Sequence, residues 1–192
     1  MLLKYRLPGH LSGEIIIKTV RKHIFILIEK IFLFSFLIIL PFVFYYIFGE
    51  LVLPKILESE IFFPIFIFCV SFYYLFIWLF FFFSFIDYYL DIWIITNERI
   101  IDIRQDGFFS RTIAEQRLFR VQDVASEVHG VLPTIFKYGD VHIQTAGAKQ
   151  RFVFDDVPHP EKIRDLIIKQ AERSKFIHKK EIEQEKRDYE AK

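Results

Sequence analysis

Two long stretches without a charged residue limit this chain more than any other feature of its sequence. The first covers residues 31–48 and the second residues 61–86. At about 1.5 Å of rise per residue, helices of these lengths span roughly 27 and 39 Å, against a hydrocarbon core of about 30 Å. The sequence therefore predicts two transmembrane helices. The interpretation as core helices of a soluble protein is disfavoured, because residues 75–83 have no polar face.

The charges that flank the two runs predict how the hairpin is oriented. Residues 1–30 carry six Lys or Arg and two acidic residues, whereas residues 49–60 carry one Lys and three acidic residues. Positively charged flanks stay on the cytoplasmic side of a membrane. We therefore expect a multi-pass protein of the cytoplasmic membrane, with both termini in the cytoplasm and about a dozen residues outside.

The overall composition removes two further classes of function. Lys and Arg together number 25 and Asp and Glu 24, which gives a net charge of +1. This balance provides no electrostatic basis for binding nucleic acid, so no nucleic-acid partner is expected. A single cysteine, Cys69, rules out an internal disulfide and any cysteine-rich metal site.

Residues 87–171 differ in character from the apolar runs, because short apolar stretches alternate with turn signals. Tyr88, Leu90, Ile92 and Ile94 fall on one side of a predicted strand, and residues 96–97 form a turn. A second strand ends at Asp106 and Gly107, and residues 130–137 are read as a connection. The remaining strands are predicted at residues 111–115, at residues 121–128 with a bulge, and at 141–145 and from 152, with another short one near residues 14–18.

The sheet is followed by one amphipathic helix. Pro160 suits the first helical position and Glu161 complements the helix dipole. The apolar residues that follow share one helical face: Ile163, Leu166, Ile167 and Ala171. We therefore expect a small α+β domain in which a bent antiparallel sheet or barrel is capped by a C-terminal helix. The charged residues 172–192 are either a solvated extension of this helix or disordered.

Six short motifs follow one another in this part of the chain. They are TNERI at 96–100, GFF at 107–109, RVQDV at 120–124, YGDV at 138–141, TAG at 145–147 and VP at 157–158. In this order they resemble the bacterial PH-domain family, in particular its membrane-flanked, YdbS/YdbT-like branch. The resemblance implies a PH-like fold for the sheet and helix, and it implies envelope-stress or antimicrobial-peptide tolerance as the biological context.

The predicted organisation has four parts. Residues 1–23 are a cytoplasmic N-terminal segment, and residues 24–86 are a transmembrane helical hairpin with spans at about 31–48 and 62–86. Residues 87–171 are the PH-like domain, and residues 172–192 are a charged C-terminal tail.

No motif for catalysis or cofactor binding is found in the sequence. Nucleophile-elbow, zinc-protease, phosphate-loop and dinucleotide signatures are missing, and the six histidines are scattered. We expect no catalytic residue, no cofactor and no metal, and hence no enzyme. Asp123 and Asp140 are expected to bond nearby backbone amides, and Gly139 is expected in a turn or a close approach.

One group of basic residues is a candidate binding site. Eukaryotic PH domains hold inositol phosphates with clustered Lys and Arg, whereas the corresponding turn here, residues 96–99, offers only Arg99. A patch of arginines and a lysine is expected to group in space instead, as a site for a lipid headgroup or an acidic partner. Its members are Arg111, Arg117, Arg120, Lys149 and Arg151.

The sequence therefore favours a non-enzymatic, membrane-anchored module for interaction or assembly. Tethering raises the effective concentration of the domain beside other membrane components. The expected partners are the lipid bilayer and either further copies of the chain in a homo-oligomer or other membrane proteins. The alternative is a sensor of anionic lipid headgroups that uses the basic patch.

Overall fold

The computed structural model describes residues 9, 13–57, 59–107, 110–145 and 152–190. The described residues form seven strands, four helices and a 3-10 turn at Leu118–Arg120. The strands are β1 (Ile16–Arg21), β2 (Ile92–Thr96), β3 (Arg99–Asp106), β4 (Ser110–Arg117), β5 (Val121–Glu127), β6 (Tyr138–Thr145) and β7 (Phe152–Pro158). The helices are α1 (Ile24–Leu57), α2 (Phe62–Leu90), α3 (Val131–Phe136) and α4 (Pro160–Glu190).

The chain divides into two compact units. The first unit, here called the hairpin, comprises Ile24–Leu90 and residues 105–110. The second unit, here called the head, comprises the described residues up to His23, those at 91–104 and those from Arg111 onwards.

The hairpin consists of α1 packed against α2. Both helices are long and apolar enough to cross a membrane, by length and composition. Large apolar side chains cover the outer surface, for example Phe32 at 75% exposure. Some polar side chains bond within the hairpin: Tyr73 Oη donates to the Leu37 carbonyl at 2.7 Å, and Lys30 Nζ donates to the Ser84 carbonyl at 3.1 Å. Such bonds reduce the number of polar groups that lack a partner in a lipid environment.

The head contains two antiparallel sheets and a closing helix. One sheet has the strand order β1-β2-β3-β4 and the other β5-β6-β7. The two sheets and α4 share one hydrophobic core, in which Trp93, Phe154 and Ile163 are almost fully buried. Trp93 stacks on Phe154 with ring centroids 5.2 Å apart. Burial of such large side chains is the main source of stability for a domain of this size.

Several local predictions are confirmed by the structure. Residues 97–98 connect β2 to β3, and β6 buries Val141, Ile143 and Thr145 while His142 and Gln144 face outwards. The register of β5 against β6 shifts between Val121 and Asp123, where a bulge is expected. The predicted α+β architecture, with a C-terminal helix beginning at Pro160, is also confirmed.

Other predictions need correction. Tyr88 and Leu90 are helical rather than extended, because α2 continues to Leu90 and Phe85 stacks on Tyr89 at the four-residue spacing of a helix. The connection 130–137 contains the helix α3, and the strand near residues 14–18 begins and ends later, as β1. Of the two alternatives for the charged residues after 171, the structure supports the helix extension, because α4 runs on to Glu190.

Candidate functional site

Two of the five candidate basic residues meet in a groove on the head. Arg117 ends β4 and Arg120 ends the 3-10 turn, and both line a cavity of about 350 Å³ beside α4. The opposite wall comes from α4 through Ser174, Ile177 and His178. We call this cavity the α4 groove. The 3-10 turn places the two arginines three residues apart on one side of the chain, because three residues complete one turn.

An aromatic stack forms the floor of the α4 groove. The rings of Phe119 and His178 lie 4.2 Å apart, centroid to centroid, with an angle of 24° between their planes. The Arg120 guanidinium carbon lies 5.7 Å from the centroid of the Phe119 ring, within reach of a cation–π contact. Two stacked rings therefore form the floor, and charged side chains surround them.

The α4 groove carries charges of both signs. Glu98 and Glu181 line it together with the two arginines. The backbone N–H of Leu118 donates to the Glu98 carbonyl at 3.0 Å, which ties the 3-10 turn to the β2–β3 connection. Glu181 Oε2 lies 3.8 Å from His178 Nδ1. Two carboxylates beside two guanidiniums make this surface nearly neutral, and a nearly neutral surface does not concentrate anions strongly.

The other candidate residues are not brought into the α4 groove by the described structure. Arg111 is exposed on β4, six positions before Arg117, and does not line the cavity. Lys149 and Arg151 lie outside the described residues. The five-residue patch therefore remains a prediction, of which the structure unites two members.

Arg99, the single arginine of the turn at residues 96–99, points into the head and forms internal ion pairs. Its Nε and Nη2 donate to the two carboxylate oxygens of Glu14 at 2.8 and 2.9 Å, and its Nη1 donates to Glu115. The side chains of Arg99 and Glu14 are 5% and 0% exposed. The hydrogen bond that Arg99 donates to Glu14 raises the pKa of Arg99 above its ordinary value. Arg99 therefore has a structural role and is not presented to a headgroup.

A second polar cluster lies at the beginning of β2 and the middle of β3. Asp102 is buried opposite Trp93 in the β2–β3 ladder, and Arg104 Nη2 donates to it at 3.2 Å. Asp102 Oδ1 and Trp93 Nε1 are both buried without a hydrogen-bond partner in the described part of the chain. Burial raises the pKa of Asp102 to about 6. Burial also raises the pKa of Asp155, whose carboxylate is 4.0 Å from Arg104.

The two aspartates of the sequence motifs hold the backbone in place. Asp123 Oδ1 accepts a hydrogen bond from the Val124 amide at 2.8 Å, and Asp140 Oδ1 accepts one from the Asp156 amide at 2.8 Å. The expectation that they bond nearby amides is confirmed. Within the described ranges, no group of three or more His, Cys, Asp or Glu side chains is placed to hold a metal ion.

Sequence reasoning did not identify the residues that α4 adds to the groove. His178 and Glu181 lie in the charged tail, where nothing distinguishes them from other polar residues. The isolated pair of apolar residues in that tail, Phe176 and Ile177, was the available signal, because Ile177 lines the groove.

Comparison with known proteins agrees with this architecture. A family model described as a bacterial PH domain matches residues 24–171, which include both long helices as well as the sheets and the beginning of α4. None of the curated proteins matches the sequence. Among solved structures, a DUF1696 family protein with a pleckstrin-homology domain from Shewanella loihica is similar, with a TM-score of 0.33 and 17% identity over 44% of this chain and 70% of that chain.

Proposed function

The chain belongs to the bacterial PH-domain family, and from this premise we propose that it is a membrane-tethered, non-catalytic interaction module that binds a protein segment in the α4 groove. The hairpin spans the cytoplasmic membrane and the head lies on the cytoplasmic side. The partner is a second copy of this chain or another membrane protein.

The surface of the hairpin supports the membrane tether. Its helices carry aromatic and aliphatic side chains on all sides, and Tyr46 and Phe32 are 88% and 75% exposed. A monomeric soluble protein seldom exposes so large an apolar area, whereas lipid tails cover it without penalty. The charge bias of residues 1–30 over residues 49–60 supports a cytoplasmic position for both termini.

The mixed charge of the α4 groove is the observation that carries the proposed binding role. Arg117 and Arg120 match acidic side chains, while Glu98 and Glu181 match basic ones. A protein segment provides both signs and an apolar side chain for the Phe119 ring. Tethering at the membrane raises the effective concentration of partners that share the bilayer, so weak binding in the groove is sufficient for association.

The alternative function is recognition of an anionic lipid headgroup. Arg117 and Arg120 favour it, because two guanidiniums in one groove can hold a phosphate. The two carboxylates in the same groove oppose it, and Arg99 is already paired with Glu14. The charge distribution therefore favours a protein segment over a headgroup. Envelope-stress tolerance rests on the family resemblance alone.

Site-specific photo-crosslinking tests the proposal in native membranes. A benzophenone side chain replaces Ile177, which lines the groove and is 43% exposed, and a matched control replaces Ile168, which is 37% exposed on the same helix and does not line it. We expect a discrete protein adduct from position 177 and not from position 168. The mass of the adduct tells a second copy from another protein.

A charge reversal completes the test. Arg117→Glu with Arg120→Glu should remove the adduct at position 177, whereas Arg111→Glu should leave it unchanged because Arg111 does not line the groove. Adducts with lipid alone would support the headgroup alternative. Equal protein adducts at positions 168 and 177, insensitive to the charge reversal, would show that the groove does not bind a partner.

A further inference from the structure

The short helix α3 exposes an apolar surface that the head does not use. Val131 and Ile135 are 75% and 63% exposed, and Leu132, Phe136 and the preceding Val128 are also exposed. No residue of α3 is buried. We call these five residues the α3 patch. Outside the hairpin, no other run of neighbouring described residues exposes so many large apolar side chains.

Hydrogen bonds to backbone carbonyls hold the α3 patch in position. A helix of six residues is too short to be stable alone. Here Thr134 Oγ1 donates to the Gly130 carbonyl at 2.7 Å, and the Lys137 amide donates to the Pro133 carbonyl. The His159 amide donates to the Lys137 carbonyl at 2.8 Å and so joins the end of α3 to the beginning of α4. The patch is therefore a preformed apolar surface.

Charges of both signs surround the α3 patch, and Glu127 directly precedes it. From Val128 to Gly139 the sequence contains no acidic residue, and Lys137 is the only residue with a fixed charge. Lys137 and Lys162 both line a cavity of about 450 Å³ that also includes Val128 and Pro133. Glu161 and His159 line the same cavity. Two lysines beside an apolar surface are typical of segments that dock on anionic membranes.

The patch offers few groups for directional recognition of a protein. Thr134 is the only hydroxyl residue of α3, and its hydroxyl already bonds to Gly130. An apolar surface without free hydrogen-bonding side chains is suited to contact with lipid acyl chains, which form no hydrogen bonds.

We propose that the α3 patch docks on the headgroup–acyl boundary of the anionic bilayer to which the chain is tethered. The apolar side chains enter the boundary, and Lys137 and Lys162 lie among the headgroup phosphates. This inference rests on the proposed function, because the tether keeps the head beside the bilayer. It adds a lipid contact that is separate from the α4 groove.

Depth-dependent quenching tests the docking with the full chain. In a Cys69→Ala background, an environment-sensitive fluorophore is attached through Ile135→Cys, Glu172→Cys or Ile39→Cys. The chain is reconstituted in vesicles of phosphatidylethanolamine and phosphatidylglycerol that contain spin-labelled lipid. Position 172 is an exposed site on α4, and position 39 lies within α1.

We expect quenching at positions 135 and 39 and none at position 172. Quenching at position 39 without quenching at position 135 would reject the docking and leave the membrane tether intact. Quenching at position 135 without quenching at position 39 would support docking and reject the spanning hairpin. Protection of position 135 from aqueous iodide, without quenching by lipid, would overturn the proposal in favour of a protein occupant.

Neutralising the lysines gives a second measurement. A lysine near an anionic surface contributes an attraction that corresponds to about a fivefold change in equilibrium. Lys137→Gln and Lys162→Gln should therefore each lower the ratio of docked to undocked label at position 135 by about fivefold. Lys169→Gln, an exposed lysine of α4 that does not line the cavity, is the control and should leave the ratio unchanged. Equal behaviour of all three variants would contradict the proposal.

Discussion

Lys22 and Asp91 form an ion pair one position beyond the last residue pair of the β1–β2 ladder. Lys22 Nζ lies 2.7 Å from Asp91 Oδ2, directly after the backbone pair Arg21 and Ile92. Lys22 stands two residues before α1, and Asp91 is the first residue after α2. The pair therefore joins the two head residues between which the chain forms the hairpin.

Removal of Lys22 should destabilise the head more than neutralisation of Asp91. The Asp91 side chain is 7% exposed and the Lys22 side chain 19%, so the Asp91 carboxylate is poorly hydrated when it loses the lysine, whereas the lysine can turn towards water when it loses the carboxylate. We expect Lys22→Met to cost about 2 kcal/mol in the free energy of unfolding and Asp91→Asn to cost less. Chemical denaturation in detergent, followed by near-ultraviolet circular dichroism, measures both. Equal costs would contradict this account.

The internal ion pairs of Arg99 lead to a second prediction. Arg99→Ala leaves Glu14, whose side chain is fully buried, without its guanidinium partner. The expected loss of stability is about 3 kcal/mol or more. Glu14→Gln added to Arg99→Ala should recover part of this loss, because it removes the buried charge. A double-mutant cycle on thermal unfolding measures the coupling, and strict additivity of the two changes would contradict the prediction.

Two glycines allow the cost of a steric overlap to be compared with the cost of an unfavourable backbone conformation. A Cβ at Gly139 would overlap the Glu127 carbonyl oxygen and lie 3.0 Å from Val128 Cγ2, so the β5–β6 pair would have to separate. Gly130 has a φ of 105°, and the atom nearest to an added Cβ would be Pro133 Cδ, at 3.5 Å. We expect Gly139→Ala to cost more than about 2 kcal/mol and Gly130→Ala about 1 kcal/mol. The reverse order of unfolding temperatures would be inconsistent with the register of β5 and β6.

The part of this architecture that was predictable depends on local sequence patterns. The β2–β3 turn, the alternation in β6 and the proline at the beginning of α4 are each encoded by a few neighbouring residues. The pair of Arg117 and Arg120 is also local, because a single 3-10 turn unites them. Local reasoning failed at Tyr88 and Leu90, where alternation fits a strand and the observed helix equally well over so short a stretch.

Long-range pairs were not predictable from a single sequence. Glu14 and Arg99 are 85 positions apart, and Lys22 and Asp91 are 69 positions apart. Neither pair has a spacing that distinguishes it from other charges. Helix α3 was missed for another reason, because its six residues are too few to establish a helical period and Pro133 favours a loop.

Asp102 should make stability depend on pH. Burial raises its pKa to about 6 in the folded protein, above the ordinary value of 3.8 in the unfolded chain. The folded state therefore binds more protons between these values, and the free energy of unfolding falls as pH rises through this window. Asp102→Asn removes the buried charge, so it should stabilise the head by on the order of 2 kcal/mol at about pH 8 and have little effect at about pH 4.

The control for this pH dependence is Asp165→Asn, an exposed carboxylate that bonds only to its neighbour Arg164 among the described contacts. Its effect should be within about 0.5 kcal/mol at both pH values. Thermal unfolding across the pH series measures the difference between the variants. A stabilisation by Asp102→Asn that does not shrink on acidification would contradict the assignment of the effect to the buried carboxylate.

The most direct test of the account is the membrane topology of the chain in cells. In the Cys69→Ala background, Glu60→Cys places a thiol between α1 and α2, and Glu172→Cys places one on α4. We expect a membrane-impermeant maleimide to label position 60 and not position 172 on intact spheroplasts, and the opposite on inverted vesicles. Labelling of both positions from the same side, or release of the chain from membranes by alkaline carbonate, would contradict a spanning hairpin with a cytoplasmic head.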